Sequence, residues 1–400
     1  MPWTLVVASA AVLAITTGTR QSLGLFVRPL AATGLGIATV SLILAVGQFF
    51  WGASQPTFGV LADRIGNFRV ILLGGLLLAA GLAVTPFLSS AIGLTLSLGV
   101  LSAVGGGAGS FAILIGAVAR RVPTAHQPMA AAWINVGGSI GQLVFAPLAQ
   151  TVITVAGWSV GMWTLAGASL LTLLIARPAV GAEELASVDR LPRARIAIRE
   201  LVRPAFGSPS YWYLHLGFFT CGFHIAFLVT HLPGEIALCG LAPSAAGVAL
   251  GVIGLMNVVG TVAIGWLSSR RPLKALLVSV YATRVLAIAL YLVSPKTLFT
   301  LYVFSAVLGL TWLATVPLTA GLVGKLYGSR QVSTLFGLTL LSHQVGAFFG
   351  AWLGGIAVSL TGNYQWMWGL DMLLAAAAAV ATLPIRETPF VPPAAVIAGT

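Results

Sequence analysis

The sequence predicts an all-α membrane protein of twelve transmembrane helices, arranged as two pseudo-symmetric six-helix bundles. Three observations lead there. The chain of 400 residues is 58% hydrophobic and only 7% charged, with a mean hydropathy of +1.01, whereas a soluble domain carries about 25% charged residues. Its apolar residues fall into twelve runs, each long enough to cross ~30 Å of hydrocarbon. Its lysines and arginines collect in alternate loops, which is the pattern of a chain threading a bilayer repeatedly.

Six runs occupy roughly residues 4–28, 37–62, 69–88, 91–119, 127–155 and 158–176. Six more follow at roughly 210–232, 243–268, 274–293, 297–325, 331–360 and 365–384. The predicted organisation is therefore a first bundle over 1–176, a linker over 177–208, a second bundle over 209–385 and a tail over 386–400. The linker carries four arginines between Arg190 and Arg199 together with Glu183, Glu184, Asp189 and Glu200. It reads as an amphipathic tether lying on the membrane face.

Arg64, Arg69, Arg120, Arg121, Arg270, Arg271, Lys274, Lys325, Arg330 and Arg386 all lie on the linker's side, and the opposite loops hold only Arg28 and Lys296. The positive-inside rule then puts both termini in the cytoplasm. The net charge of +12 reports this topology and implies no nucleic-acid partner, because the basic residues form no single polar face. Cys221 lies in an apolar run and Cys239 in a loop, with neither metal-ligand nor disulfide spacing. The start of the chain lacks a basic n-region and cleavage site, so the first run is expected to remain as a helix.

The stretch Gly59-Val-Leu-Ala-Asp63-Arg64-Ile-Gly66-Asn67-Phe-Arg69 joins the second run to the third. Gly59 permits close helix approach, Asp63 can accept hydrogen bonds or pair with a cation, and Arg64 and Arg69 hold charge at the membrane surface. The stretch closely resembles the signature loop between helices 2 and 3 of the major facilitator superfamily, G-x-L-a-D-r-x-G-r-k. It departs at Asn67, where the family often has a basic residue. The resemblance implies a secondary transporter with its site between two six-helix halves, and a conformational gate in which Asp63, with Arg64 and Arg69, helps hold the outward-facing state.

The halves echo one another, as repeated bundles do. Gly59-Val-Leu-Ala-Asp63-Arg64 recurs as Gly265-Trp-Leu-Ser-Ser269-Arg270, with serine in place of the acid. Gly137 to Gly141 in the fifth run and Gly346 to Gly355 in the eleventh suit close packing of backbones. Gly105 to Gly109 in the fourth run fits either close packing or a bend.

Ionisable residues in hydrocarbon are costly and face a cavity or a partner. Arg284 and Asp371 lie at depths that differ by only about 4 Å, and we expect them to form a structural ion pair. Arg20 lies about 12 Å below the outer surface with no acid of the first half at its depth. It can clamp a carboxylate through two hydrogen bonds, with Gln21 and Ser22 nearby as supplementary donors. The competing reading has it snorkelling outward or bonded to carbonyls freed near Gly18 and Gly24. His343 and His224 sit mid-membrane and can couple proton movement to anion movement, or be neutral packing residues. His215 and His231 are weaker candidates. No acid or cysteine joins the histidines at ligand spacing, so no metal or other cofactor is expected.

The pattern Gly18-Thr-Arg20-Gln-Ser22-Leu-Gly24-Leu-Phe26-Val-Arg28-Pro29 is similar to the first helix of the bacterial branch related to monocarboxylate and oxalate/formate transporters. Those families place an arginine on helix 8 four residues after an Asp or Asn, whereas this chain has Asn257 followed by Thr261. An anion site would then rest on Arg20, with Gln21, Asn257, His343 and Trp312 about it. No phosphate-binding loop supports ATP drive. The expected function is secondary transport of a small organic anion, a monocarboxylate, in symport with protons, by a monomer in the inner membrane. The alternative is a drug or metabolite exporter with an apolar cavity and structural arginines. A membrane sensor or scaffold is a third reading, which the short linker disfavours.

Overall fold

The computed structural model describes residues 3–119, 121–123, 126–180, 198–328 and 332–389. The expected linker between 181 and 197, Arg120, Arg330 and the tail beyond 389 lie outside the described residues. In the first half, α1 spans Trp3–Leu35, α2 Ile37–Ile65, α3 Asn67–Phe87, α4 Ala91–Val118, α5 Gln127–Ala156 and α6 Trp158–Val180. In the second, α7 spans Pro209–Leu238, α8 Ser244–Ser268, α9 Leu273–Val293, α10 Leu298–Tyr327, α11 Val332–Thr361 and α12 Gln365–Thr382.

Eleven of these helices are long and apolar enough to cross a bilayer. The remaining one, α12, has 18 residues and carries Asp371 inside its apolar run. Among the described residues every regular element is helical. A short helix, Ile198–Phe206, precedes α7.

The expected turn between Gly59 and Arg69 contracts to a single residue. α2 continues through Arg64 to Ile65, and Gly66 at φ 88° ends it with its N–H on the Ala62 carbonyl at 2.9 Å. A left-handed φ of this kind is open to glycine at little cost.

Within the first half α1 packs on α5 and α6, α3 on α6 and α4, and α2 on α4; in the second, α7 packs on α11 and α12, α8 on α10 and α9 on α12. The repeated glycines explain two of these pairs. A β-carbon at Gly137 or Gly141 would collide with the backbone of Ala10 or Ala14 on α1, and one at Gly346 or Gly350 with that of Phe219 or Phe223 on α7. In lipid, close approach of backbones replaces the hydrophobic effect as the force between helices. The Gly105–Gly109 run lies at a close helix contact and next to a break. Gly105 abuts α3 at Gly74 and Leu78, and the helix breaks at Gly109–Ser110. α10 breaks correspondingly at Trp312–Ala314.

The halves meet where α2 packs on α11 and α5 on α8. Ser41 lies against Gly355, Gly52 against Gln344, and Pro147 against Gly251. These contacts run from mid-helix to the face away from the chain ends. The apolar cores follow the same division. One core, including Phe26, Val40, Phe223 and Trp368, draws on both halves. Toward the chain ends the halves keep separate cores, one around Leu5, Phe58 and Ala176 and the other around Tyr211, Leu322 and Ile385. The molecule is closed at the face far from its termini.

Candidate functional site

A pocket opens between α1, α2 and α4, with α7 as its fourth wall. Its free space for water-sized spheres is about 30 Å³, and it is partly open to solvent. Thr16, Thr19 and Arg20 enter from α1, Gln48 and Trp51 from α2, Ser102 from α4 and Thr230 from α7; Leu23, Leu44, Leu78, Leu98 and Val229 supply apolar wall. The break in α4 borders this space, and Thr16 donates its hydroxyl hydrogen to the freed Gly109 carbonyl at 3.0 Å.

Arg20 is the one charged side chain in the lining. Its Nη1 donates to Gln48 Oε1 at 2.6 Å, and its guanidinium lies 4.3 Å from the centre of the Trp51 ring. Its Nε is buried with no partner, and so is the Thr19 hydroxyl. No carboxylate pairs with Arg20 among the described residues. A guanidinium held by a neutral amide and an aromatic face keeps its full charge for a ligand.

The other expected site residues fall elsewhere. Gln21 is buried and outside the lining. Asn257 is committed at both ends: Nδ2 donates to Ser139 Oγ at 2.8 Å, and Oδ1 accepts from Leu313 N–H at 3.1 Å. That geometry ties α5, α8 and the break in α10 together, outside the pocket lining. Trp312 is buried beside the break in α10, its ring 6.3 Å from that of His224. His343 packs its ring on Phe218 and leaves Nδ1 buried and unpartnered.

The expected ion pair between Arg284 and Asp371 is absent. Arg284, fully buried, donates from Nη2 to the carbonyls of Thr311 at 2.6 Å and Trp312 at 3.0 Å. The break in α10 frees these carbonyls, and equal depth along two helices does not reveal such a competitor. Asp371 Oδ2 instead meets His224 Nδ1 at 2.6 Å. Arg284 Nε and Nη1, Asp371 Oδ1 and His224 Nε2 are buried without partners. Each such group costs about 1–3 kcal/mol where nothing satisfies it.

His215 bonds to Ser342 Oγ at 2.6 Å within an aromatic cluster, and His231 to the Ala351 carbonyl at 2.7 Å; both are packing residues. Cys221 likewise packs against Thr315 Oγ1 at 3.0 Å. In the α2–α3 region Arg64 and Arg69 are exposed, while the Asp63 side chain lies outside the described residues. The recurring stretch keeps its arginine at the surface, with Arg270 stacked 3.9 Å over Trp266. Sequence reading missed Gln48, Trp51 and Ser102. The signal was the series Leu44, Gln48 and Trp51, four and seven residues apart on one helix face, which carries an amide into an apolar run.

Two pseudo-symmetric sets of six helices, each with a broken member, about a pocket lined by Arg20 define a multi-pass membrane transporter. The chain belongs to the Major Facilitator Superfamily, whose family model matches residues 7–296 and 240–398. It is 27% identical to monocarboxylate transporter 13 of Rattus norvegicus over 387 residues, covering 96% of this chain and 89% of that protein. It is 28% identical to monocarboxylate transporter 11 of Mus musculus over 384 residues, covering 91% and 82%. An uncharacterized MFS-type transporter of Bacillus subtilis (strain 168), YcxA, is 22% identical over 365 residues, covering 86% and 85%. Among solved structures, a D-xylose-proton symporter superposes with a TM-score of 0.73 at 14% identity, covering 96% of this chain and 98% of that one. A bacterial homologue of the lysosomal transporter Spinster, in an inward-facing and occupied conformation, gives 0.68 at 15% identity, covering 94% and 91%. These two show the fold alone.

Proposed function

We propose that this transporter is a secondary carrier of a small organic anion, a monocarboxylate, which it binds at Arg20 and moves by alternating access. The observation that carries the reading is Arg20 itself, a pocket cation whose side-chain partners are a neutral amide and an indole face. A carboxylate arriving there displaces Gln48 and takes two parallel hydrogen bonds from the guanidinium. The apolar wall around Leu44, Leu78 and Val229 receives the short organic tail. The relatives named as monocarboxylate transporters support the same class.

The carrier lies in the inner membrane as a monomer, with its chain ends in the cytoplasm as the basic loops require. Residues 1–176 and 209–385 are its two moving bodies, joined by 177–208. The closed far face is then the outer gate, and Asp63 with Arg64 and Arg69 forms the gate that engages when the halves rock the other way. Proton coupling runs through His224 or His343. The test is counterflow of labelled lactate, pyruvate and acetate into proteoliposomes, comparing the parent with Arg20→Gln. Exchange in the parent that is lost in the variant supports the reading. A folded parent that exchanges none of the three overturns it in favour of an exporter with structural arginines.

A further inference from the structure

The geometry points to the His224–Asp371 pair, on α7 and α12 and apart from the pocket, as the site that carries the proton co-transported with the anion bound at Arg20. This inference rests on the carrier reading and separates two tasks within it: the first half holds the anion, and the second half holds the proton.

The pair is 1% and 0% exposed, with its nitrogen and oxygen 2.6 Å apart. A buried carboxylate and imidazole in contact exchange a proton without moving heavy atoms. Each member keeps one buried polar atom without a partner, Nε2 on His224 and Oδ1 on Asp371. The pair is a buried acid and base in direct contact, and ionisable groups held at this depth in a membrane mark ion and proton paths.

The surrounding charges favour this pair over His343. On the helices packed against α7 and α12 the charged or titratable groups at mid-membrane are Tyr281 and Arg284 on α9 and His343 on α11, with Cys221 one turn before His224 on α7 itself. From α10 come the non-titrating Trp312, its ring 6.3 Å from that of His224, and Thr315 beside Cys221. Among the described residues His343 has no carboxylate partner. A proton on it has no countercharge beside it. On His224 the same proton meets Asp371.

The balance is simple. In the proposed cycle the empty pair is a carboxylate beside a neutral imidazole. Uptake of one proton at Nε2 makes an imidazolium, and its release to water on the opposite face restores the start. One anion at Arg20 and one proton here make a neutral cargo. The loaded and empty carrier then bury the same net charge, so neither crossing works against the membrane potential.

The experiment uses the full chain in proteoliposomes with labelled lactate as probe. Exchange at equal pH is compared with accumulation driven by a gradient of one pH unit, which at one proton per anion supports about tenfold accumulation. His224→Gln and Asp371→Asn are each expected to keep exchange within about threefold of the parent while accumulation falls to the level without a gradient. Retained exchange certifies the fold. Gradient-driven accumulation in either variant overturns the inference, as does loss of exchange in both, which would place the pair in binding or folding.

A second measurement needs no substrate. The Trp312 ring, 6.3 Å from that of His224, reports protonation by quenching. The pH titration of intrinsic fluorescence should show a component that His224→Gln removes, and its absence in the parent also overturns the inference. Should the parent exchange no carboxylate yet show this component, the anion reading fails and the proton site stands.

Discussion

Asn257 on α8 donates to Ser139 on α5 at 2.8 Å, and its other end accepts the Leu313 N–H at 3.1 Å, where α10 breaks. One neutral side chain thus ties the two halves together and satisfies a backbone group that the break leaves open. Asn257→Ala is expected to lower stability by about 1–3 kcal/mol, because it strands a buried donor. Ser139→Ala removes one bond only and should cost less. Thermal unfolding of the purified variants in detergent checks the order, and equal effects would contradict the double role.

The glycine pairs make a sharper test of packing. Gly141→Ala drives a methyl group into the Ala14 backbone, whereas Gly167 has no atom within 4 Å of where a β-carbon would stand. Overpacking against backbone costs about 1–3 kcal/mol. At an open helical position the alanine is instead neutral or stabilises by up to about 1 kcal/mol. Thermal unfolding of the two variants should move in opposite directions or differ by at least the smaller of these figures.

The fold was legible because its causes are local and repeated: twelve apolar runs, basic loops in alternation, and the Gly137–Gly141 and Gly346–Gly355 stripes. Arg20 was legible for a similar reason, since a guanidinium at that depth without an acid at its level needs a purpose. Its partners Gln48 and Trp51 were legible only as an amide on one face of an apolar run, since that pattern says nothing of which neighbour the amide faces. Depth along a helix likewise suggested Arg284 opposite Asp371. The break at Trp312 exposed carbonyls that claimed the arginine and left the aspartate to His224. Where a helix breaks depends on tertiary packing, and no residue pattern in α10 announced it.

On the face of the chain ends, Glu387 gathers three elements. Its Oε2 accepts from Lys325 Nζ at 2.6 Å at the end of α10, and its Oε1 from the Lys274 N–H at 2.7 Å at the start of α9. Partial burial opposes its ionisation, but the hydrogen bonds and charges of Lys325 and Lys274 outweigh burial and hold the carboxyl below the usual glutamate range. A depressed pKa contributes stability that is present above the unfolded-state value and lost as pH falls through the folded-state value. Lys325 is half exposed, so the contribution stays within about 1 kcal/mol. Glu387→Gln should lower the unfolding temperature slightly at neutral pH, and the difference from the parent should vanish in acid. A gap that widens as pH falls would contradict the assignment.

Two neighbours on α2 present Arg20 to the pocket. Gln48 fixes one end of the guanidinium and Trp51 covers a face, which leaves an unpartnered Nε in the pocket wall. If a carboxylate binds there through two parallel bonds, Arg20→Lys keeps the charge but loses the planar fork, so it should not restore parent affinity. Arg20→Gln loses both, at about 2–5 kcal/mol or roughly 30-fold and more in apparent affinity. Trp51→Ala removes a cation–π contact worth about 0.5–2 kcal/mol, and Trp51→Phe should recover part of it. The expected order of half-saturation in carboxylate exchange is parent, Trp51→Phe, Trp51→Ala and Arg20→Gln, rising throughout, with Arg20→Lys between parent and Arg20→Gln. Full affinity in Arg20→Lys would mean that charge alone binds the anion and that the fork held by Gln48 and Trp51 has no part in recognition.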